Sequence, residues 1–294
     1  MLDVTVVIPT KDRLKMLSRT LESIMLQTIL PREVVIVDDN SKNPIKLESF
    51  SQFSGLNLRL HSSRVQLGGS RARNKGVSLA TSRYIAFIDD DDIWENDYLE
   101  KVFCKILSSN ADALYTSKKF VLSSDLNQVI RSKTSNKIVK LDDLVSGNFV
   151  GSTSCVVIKR DIIERVGGFD ENLRAFQDYD LWLRVSQISD FTPVSDAYMI
   201  YTVSSNGNQV SGNYLNHLSA YEFLTLKYKS ILSERYFRTL KRTLNYFLAK
   251  SIHKKNYSKS LSYTMKSFVI DKNFKSVIFL LPYFLLNKFG LYSS

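Results

Sequence analysis

The feature that most constrains the fold is an alternation of short apolar runs with longer helix-like stretches in the first part of the chain. Four strand-like runs, at residues 4–8, 34–37, 56–60 and 84–88, are separated by other segments. Between the first two runs, apolar residues recur at helical spacing over residues 14–27, which predicts an amphipathic helix. This is the pattern of βαβ units, so we expect an α/β fold with a mostly parallel central sheet and helices on both faces.

The regular alternation breaks near the middle of the chain. A helical period follows Ile93 as far as residue 110, and the later strand-like pieces are short: 113–115, 154–158 and 197–203. Residues 204–213 are polar and rich in turn formers, which predicts a mobile loop. We therefore predict one domain over residues 1–213, made of the halves 1–110 and 111–213, and a helical subdomain over 214–294 with breaks near residues 233, 256 and 273.

The net positive charge of the chain lies in its C-terminal third. Residues 201–294 contain 14 Lys and Arg against 3 Asp and Glu, which equals the net charge of +11, whereas residues 1–200 contain 26 of each sign. Basic and aromatic residues alternate in this tail, so it predicts either contact with an anionic membrane surface or a solvated basic helical face. The apolar run at 277–286 is too short to span a membrane, which takes about 20 residues.

The N-terminus and the cysteines predict a cytoplasmic protein. The first strand-like run begins at residue 4, with no basic region, longer apolar run or cleavage site before it. Cys104 and Cys155 lie far apart, which favours reduced thiols over a disulfide framework or a zinc site.

Carboxylates follow the fourth apolar run in the segment FIDDDD, residues 87–92. Four adjacent carboxylates repel one another unless they are exposed, protonated or neutralised by a cation. Oxygen ligands of this kind suit Mg²⁺ or Mn²⁺ shared with a substrate phosphate. The alternative interpretation is a solvated acidic turn before a helix.

Three further segments contain candidate site residues. The second apolar run ends in Asp38 and Asp39, which could bind a base or ribose or could cap a helix. The segment 67–74, LGGSRARN, combines glycines with arginines that suit phosphate. Asp178 lies at the start of a predicted helix after the segment GGFDE at 167–171, and taken alone it is more typical of a helix N-cap than of a catalytic residue.

These segments together resemble the family 2 glycosyltransferases of the GT-A fold. The resemblance rests on VVIPT at 6–10, VDDNS at 37–41, ARN at 72–74, FIDDDDIW at 87–94, GGFD at 167–170 and DYDLWLR at 178–184. It covers residues 3–203 in the expected order and spacing. It implies a GT-A domain with a nucleotide-binding half at 1–110 and an acceptor half at 111–213, followed by the helical subdomain.

The resemblance also implies roles for individual residues. Asp39 matches the position that contacts the nucleobase, Asp89 and Asp91 match the metal ligands, and Asp178 matches the catalytic base. The nucleotide-binding positions are Pro9, Thr10, Asp12, Asp39, Arg73 and Asp90. Gln177 stands where the family often has Glu, and residues 204–213 contain no Lys or Arg, with only His217 nearby, so a basic residue that helps the leaving group is not evident.

The implied reaction is inverting transfer of a sugar from a nucleotide-diphosphate sugar, a UDP-sugar, to a hydroxyl of a glycan acceptor linked to a lipid diphosphate. Mn²⁺ or Mg²⁺ would neutralise the leaving diphosphate, and a carboxylate would take the proton of the hydroxyl. We expect a peripheral enzyme of polysaccharide or O-antigen synthesis on the inner face of the cell membrane.

Three alternatives remain at this point. A sugar nucleotidyltransferase would need a glycine-rich basic loop after the first strand, and residues 9–13, PTKDR, contain no glycine. A nucleic-acid-binding protein is suggested only by the basic tail. The first 200 residues have no net charge, which argues against a nucleic-acid partner. A non-catalytic scaffold that binds nucleotide sugars would not need Asp89, Asp91 and Asp178 together.

Overall fold

The computed structural model describes residues 2–122, 125–203, 214–271 and 274–282. The chain divides into two compact units, and we describe each by itself. The sheet unit takes its described residues from Met1–Leu141, Val150–Asn172 and Gln177–Asn208, and the helical unit from Asp142–Phe149, Leu173–Phe176 and Gln209–Ser294. The loop predicted at 204–213 lies outside the described residues, so the domain boundary at residue 213 stays a prediction.

One nine-stranded sheet organises the sheet unit. Its strands are β1 (Leu2–Thr10), β2 (Pro31–Asp38), β3 (Leu58–Ser62), β4 (Tyr84–Phe87), β5 (Ile93–Trp94), β6 (Ala113–Leu122), β7 (Asp125–Lys133), β8 (Val156–Lys159) and β9 (Phe191–Val203). They lie in the order β3-β2-β1-β4-β8-β6-β9-β5, and β7 pairs with β6. The four strands β3, β2, β1 and β4 are mutually parallel, as the alternation predicts.

The parallel strands are apolar because both faces of this part of the sheet are covered. β1 and β2 are buried along nearly their whole length. The helices of the sheet unit are α1 (Leu14–Met25), α2 (Gly69–Leu79), α3 (Tyr98–Ser109), α5 (Arg160–Arg165) and α6 (Gln177–Val185), and α4 (Leu141–Ser146) begins at its boundary. A Cβ atom on Gly76 of α2 would overlap Cγ1 of Val7 in β1, so this helix approaches the sheet closely.

The second half of the sheet is mixed. β8 pairs antiparallel with β4 and β6, and β9 pairs parallel with β6. Two strands, β5 and β7, were not predicted. The prediction that the helical period continues from Ile93 was wrong at its start, because Ile93 and Trp94 pair with β9 and α3 begins only at Tyr98.

The helical unit contains α7 (Tyr214–Lys229), α8 (Glu234–Ile252), α9 (Tyr257–Asp271) and α10 (Phe274–Val277), followed by a 3-10 turn at Ile278–Leu280. The interhelical breaks agree with the predicted positions near residues 233 and 256, and residue 273 lies outside the described residues. On α8, Leu240, Leu244, Leu248 and Ile252 recur every four residues and are buried. Among the described residues, no helix has both the length and the apolar composition needed to cross a membrane.

Candidate functional site

The acidic residues predicted from the sequence lie at the carboxyl ends of the parallel strands. Thr10 ends β1, Asp38 ends β2, and Asp89 follows β4 by two residues. These strands are neighbours in the sheet, so their ends form one edge, which is where open α/β sheets bind ligands. The sequence-predicted residues from three separate segments therefore lie along the same edge.

Asp90 occupies the centre of a buried hydrogen-bonded group. Its carboxylate accepts a hydrogen bond of 2.7 Å from Thr10 Oγ1 and one of 3.1 Å from Arg13 Nη1. Burial raises the pKa of Asp90 to about 6, although Thr10 and Arg13 both lower it. These contacts join the end of β1 to the acidic segment.

Asp91 is held at its side chain and at its backbone. Arg13 Nη1 lies 3.0 Å from the carboxylate, and the backbone carbonyl accepts hydrogen bonds from Arg19 at 2.5 Å and from Thr202 at 3.0 Å. Burial and the charge of Asp89 raise the pKa of Asp91, and Arg13 opposes them. The carboxylate retains 44% exposure, so one side of it is open to solvent.

Asp89 connects the acidic segment with α6. Arg73 Nη2 donates a hydrogen bond of 2.5 Å to Asp89 Oδ1, and Arg73 Nη1 lies 3.4 Å from Gln177 Oε1. The amide of Asp89 donates to Ser154 Oγ at 3.0 Å. Arg73 therefore contacts both the predicted metal position and the residue before Asp178.

Asp178 lies in the first turn of α6, and its carboxylate accepts a hydrogen bond of 2.8 Å from the amide of Tyr179. Burial raises its pKa, the charge of Asp89 raises it further, and Arg73 and Lys118 lower it. A carboxylate with a raised pKa is a stronger proton acceptor than an ordinary aspartate, which suits a general base.

Asp39 is hydrogen-bonded to the glycine-containing loop before α2. Its carboxylate accepts hydrogen bonds from the amides of Leu67 and Gly68, the latter at 3.0 Å. Gly68 has a φ of 80°, a left-handed conformation that suits glycine. The structure therefore shows Asp39 ordering this loop, while its predicted contact with a nucleobase stays a prediction.

Asp12 ties two turns of the same edge together. Its amide donates to Ser41 Oγ at 2.8 Å, and its carboxylate accepts a 2.7 Å hydrogen bond from the amide of Lys42. Pro9 pairs with Val37 where β1 and β2 run side by side. Pro9, Thr10, Asp12 and Asp39 thus lie on adjacent strand ends and turns.

Comparison with known proteins identifies the family. The family model described as glycosyl transferase family 2 matches residues 5–167, which is more than half of the chain. The chain belongs to glycosyltransferase family 2. It is therefore a glycosyltransferase, and the predicted family is confirmed.

Two relatives and one solved structure illustrate the match. AmsB of Erwinia amylovora, an amylovoran biosynthesis glycosyltransferase, is 31% identical over 199 residues, which cover 63% of this chain and 64% of AmsB. WfgD of Escherichia coli, a UDP-Glc:alpha-D-GlcNAc-diphosphoundecaprenol beta-1,3-glucosyltransferase, is 22% identical over 215 residues, 73% of this chain and 82% of WfgD. TarS 1–349 of S. aureus, in complex with UDP, superposes with a TM-score of 0.64 at 20% identity, covering 90% of this chain and 75% of TarS. This likeness confirms the GT-A fold.

The carboxylates of this glycosyltransferase differ in their suitability for a metal. Asp89 and Asp91 are 32% and 44% exposed, so each can offer oxygen to a hard cation. Asp92 is buried, and burial raises its pKa well above the ordinary value, which disfavours it as a ligand. Within the described residues, no group of three or more His, Cys, Asp or Glu side chains is arranged to hold a metal alone.

Sequence reasoning named Thr10 and Arg73 but missed Arg13, Arg19 and Thr202 as further partners of the acidic segment. Arg13 contacts Asp90 and Asp91 from 77 and 78 residues away, and Thr202 contacts Asp91 across 111 residues. The available signal was the excess of carboxylates itself, because such a group needs nearby cations. The sequence did not indicate that Arg13 and Arg19 are among these cations.

Proposed function

We propose that this glycosyltransferase transfers a sugar from a UDP-sugar to a hydroxyl of a lipid-diphosphate-linked glycan acceptor, with inversion, in bacterial cell-surface polysaccharide synthesis. AmsB and WfgD support the polysaccharide role, WfgD supports the lipid-diphosphate acceptor, and the UDP bound to TarS together with the UDP-Glc named for WfgD supports the donor. The class of reaction follows from the family, and the substrates are part of the proposal.

The observation that carries the proposal is the environment of Asp178. This carboxylate lies in the first turn of α6, near enough to Arg73 and Asp89 for both charges to act on its pKa, and its own pKa is raised. In the proposed reaction the acceptor oxygen bonds to the anomeric carbon as the bond from that carbon to the diphosphate oxygen breaks. The proton of the acceptor hydroxyl passes to Asp178, and the nucleoside diphosphate leaves with the bonding electrons.

Asp89 and Asp91 are the residues that would hold Mn²⁺ or Mg²⁺. Two partly exposed carboxylates fit this role because such cations are commonly bound by one or two carboxylates together with substrate phosphates. When bound, the cation supplies positive charge that stabilises the leaving diphosphate. Arg13 and Arg73, which contact these carboxylates, add positive charge at the same edge.

The nucleotide is proposed to bind along the ends of β1 and β2. Pro9, Thr10, Asp12, Asp39, Arg73 and Asp90 are the proposed nucleotide-binding residues. The backbone amides of Leu67 and Gly68 hold the Asp39 carboxylate in this proposed site, and Gly68 adopts a left-handed φ of 80° that suits glycine. Thr10 and Asp90 support the site through their mutual hydrogen bond.

We also propose that the protein works in the cytoplasm on the inner face of the membrane, where a lipid-linked acceptor is presented. The helical unit supports this, because Lys254, Lys255 and Lys259 are exposed at the end of α8 and the start of α9. Met265 and Val269 on α9 are exposed apolar residues, 49% and 73% accessible. Such a combination suits an anionic lipid surface.

Substitution of Asp178 tests the proposed function. Asp178→Asn preserves size and hydrogen bonding at the helix start but removes the proton acceptor, so transfer should fall about 10²–10⁴-fold. Transfer from UDP-sugars to a synthetic lipid-diphosphate sugar is measured, together with UDP affinity by calorimetry. Asp161→Asn, an exposed carboxylate on α5, is the control and should behave as the wild type. Transfer by Asp178→Asn within a few-fold of the wild type would exclude this residue as the base.

A further inference from the structure

Two lysines lie directly opposite each other on neighbouring antiparallel strands of the sheet unit. Lys118 of β6 is the cross-strand partner of Lys133 of β7. Like charges directly opposite each other destabilise a strand pair, and cross-strand Cβ atoms are only about 4.5–5.5 Å apart. The two ammonium groups therefore repel each other, and an anion bound between them would relieve this repulsion.

Neither lysine forms an ion pair in the part of the chain that the structure describes. Among the residues that the structure describes, no carboxylate oxygen lies within 4.0 Å of either ammonium group. The contrast with the next residue of β6 is clear, since Lys119 forms an ion pair with Glu95 and lies 4.4 Å from the ring centroid of Tyr198. The charge of Lys118 contributes to lowering the pKa of Lys133, as expected for two neighbouring ammonium groups.

One member of the pair, Lys118, lies near the proposed base. The charge of Lys118 acts on both Asp178 and Asp92 and lowers the pKa of each. A Cβ atom on Gly151 would overlap Lys118 Nζ, and Gly151 has a φ of 97° and accepts a hydrogen bond of 2.8 Å from Trp182 of α6. Glycine at this position thus leaves space for the ammonium group next to the helix that contains Asp178.

We propose that Lys118 and Lys133 bind the diphosphate of the acceptor while Asp178 receives the proton of its hydroxyl. This inference rests on the proposed function and specifies its acceptor site. A diphosphate carries enough negative charge to neutralise both ammonium groups, and two lysines on facing residues can both reach it. Only one sugar ring would separate the reactive hydroxyl from the diphosphate in an acceptor such as a sugar diphospholipid. The donor diphosphate is assigned to a different part of the site, at Asp89 and Asp91.

Binding of inorganic pyrophosphate provides the first test. The intact protein is saturated with UDP and Mg²⁺, so that the donor phosphate position is filled, and pyrophosphate is titrated by calorimetry with heats from protein-free UDP–Mg²⁺ subtracted. We expect one additional site in the wild type, and about 10–100-fold weaker binding in the double variant Lys118→Gln, Lys133→Gln, since glutamine can still donate a hydrogen bond at each position but lacks the charge that strengthens it. Lys119→Gln removes one charge from the same strand on its other face and should bind pyrophosphate as the wild type does.

Acceptor kinetics provide the second test. We compare a short-alkyl diphosphate-linked sugar with the uncharged alkyl glycoside of the same sugar. In the double variant, the KM for the diphosphate acceptor should rise about 10–100-fold with a much smaller change in kcat, while the KM for the uncharged acceptor should stay the same. UDP affinity should be unchanged, which also shows that the variant is folded.

The outcomes separate this inference from the proposed function. If the wild type binds UDP but no additional pyrophosphate, or if the double variant binds pyrophosphate equally well, the lysine pair is not an anion site. A similar rise of KM for both acceptors would contradict recognition of the diphosphate. A wild type that binds no UDP would overturn the proposed function, and this inference with it.

Discussion

The aspartates of the candidate site differ in pKa and in exposure because their surroundings differ. Burial raises the pKa of Asp90 to about 6 and that of Asp92 well above its usual range, whereas Asp89 and Asp91 keep exposed edges and arginine partners. We therefore interpret Asp89 and Asp91 as the proposed metal ligands, Asp90 as part of the proposed nucleotide site and Asp92 as a structural carboxylate. Asp178, which is remote in sequence, has the raised pKa that suits proton transfer.

The raised pKa of Asp178 predicts how kcat/KM for the acceptor declines at low pH. The base must be ionised, so kcat/KM for the acceptor should fall as the pH drops through this pKa, at a higher pH than the ordinary value of 3.8 allows. Arg73→Gln removes a positive charge that lowers this pKa, so the acid limb should move to still higher pH. The profile is measured at saturating donor.

The matched control for this prediction is Arg71→Gln on the same helix, where Arg71 pairs with the exposed Glu171. This substitution also removes one positive charge, but from a residue whose ion pair is with Glu171 and not with Asp89. The acid limb of the pH profile should therefore stay at the wild-type pH. An acid limb that stays fixed in Arg73→Gln, or that moves to lower pH, would contradict the assignment of this titration to Asp178.

Local motifs made some site residues predictable, and non-local pairing hid others. The strand-end carboxylates and Asp178 stand in short patterns that resemble the family, so they could be named from the sequence. Lys118 and Lys133 stand in no such pattern, and they meet only because β6 and β7 pair. No strand was predicted at β7, so the sequence could not indicate that β7 pairs with β6.

At the scale of elements, the apolar strands were predictable and the polar ones were not. β1, β2 and β4 are covered on both faces and read as continuous apolar runs. β7, with the sequence DLNQVIRSK, has no such run and depends on its partner β6. β5 is two residues long and is defined only by pairing with β9, so the helical period around it gave the wrong start for α3.

Gly76 tests the packing of α2 on β1. Replacing glycine by alanine within a helix usually stabilises a protein by about 0.5–1 kcal/mol. Here the added methyl group would overlap Val7, so Gly76→Ala should lower the free energy of unfolding by about 1–3 kcal/mol. Chemical denaturation measures the effect. Ser78→Ala, at an exposed position of the same helix, should change stability little, and a stabilised Gly76→Ala would show that α2 does not approach β1 this closely.

At the scale of the whole molecule, charge and chemistry are separated along the sequence. Residues 1–200 contain equal numbers of acidic and basic residues, and the net charge of +11 belongs to residues 201–294. The charged residues of the candidate site belong to this neutral part of the sequence, so the excess positive charge lies outside the site. We expect it to act on a separate partner, the anionic lipid surface.

Vesicle binding by the full-length chain tests this last expectation. The triple variant Lys254→Gln, Lys255→Gln, Lys259→Gln removes three exposed charges from the helical unit. Since each basic residue near an anionic leaflet contributes about 1 kcal/mol, the affinity for vesicles containing anionic lipid should fall about 100-fold. Sedimentation with anionic and neutral vesicles is the measurement.

The control carries the same charge change elsewhere: Lys15→Gln, Lys42→Gln and Lys46→Gln replace three exposed lysines of the sheet unit. This variant should bind vesicles as the wild type does, because its charges lie outside the proposed lipid-binding surface. Wild-type binding should weaken at high salt, since screening shortens the reach of exposed charges. Equal loss in both triple variants would indicate a response to net charge alone. Binding that ignores both salt and the helical-unit lysines would assign these helices a packing role instead.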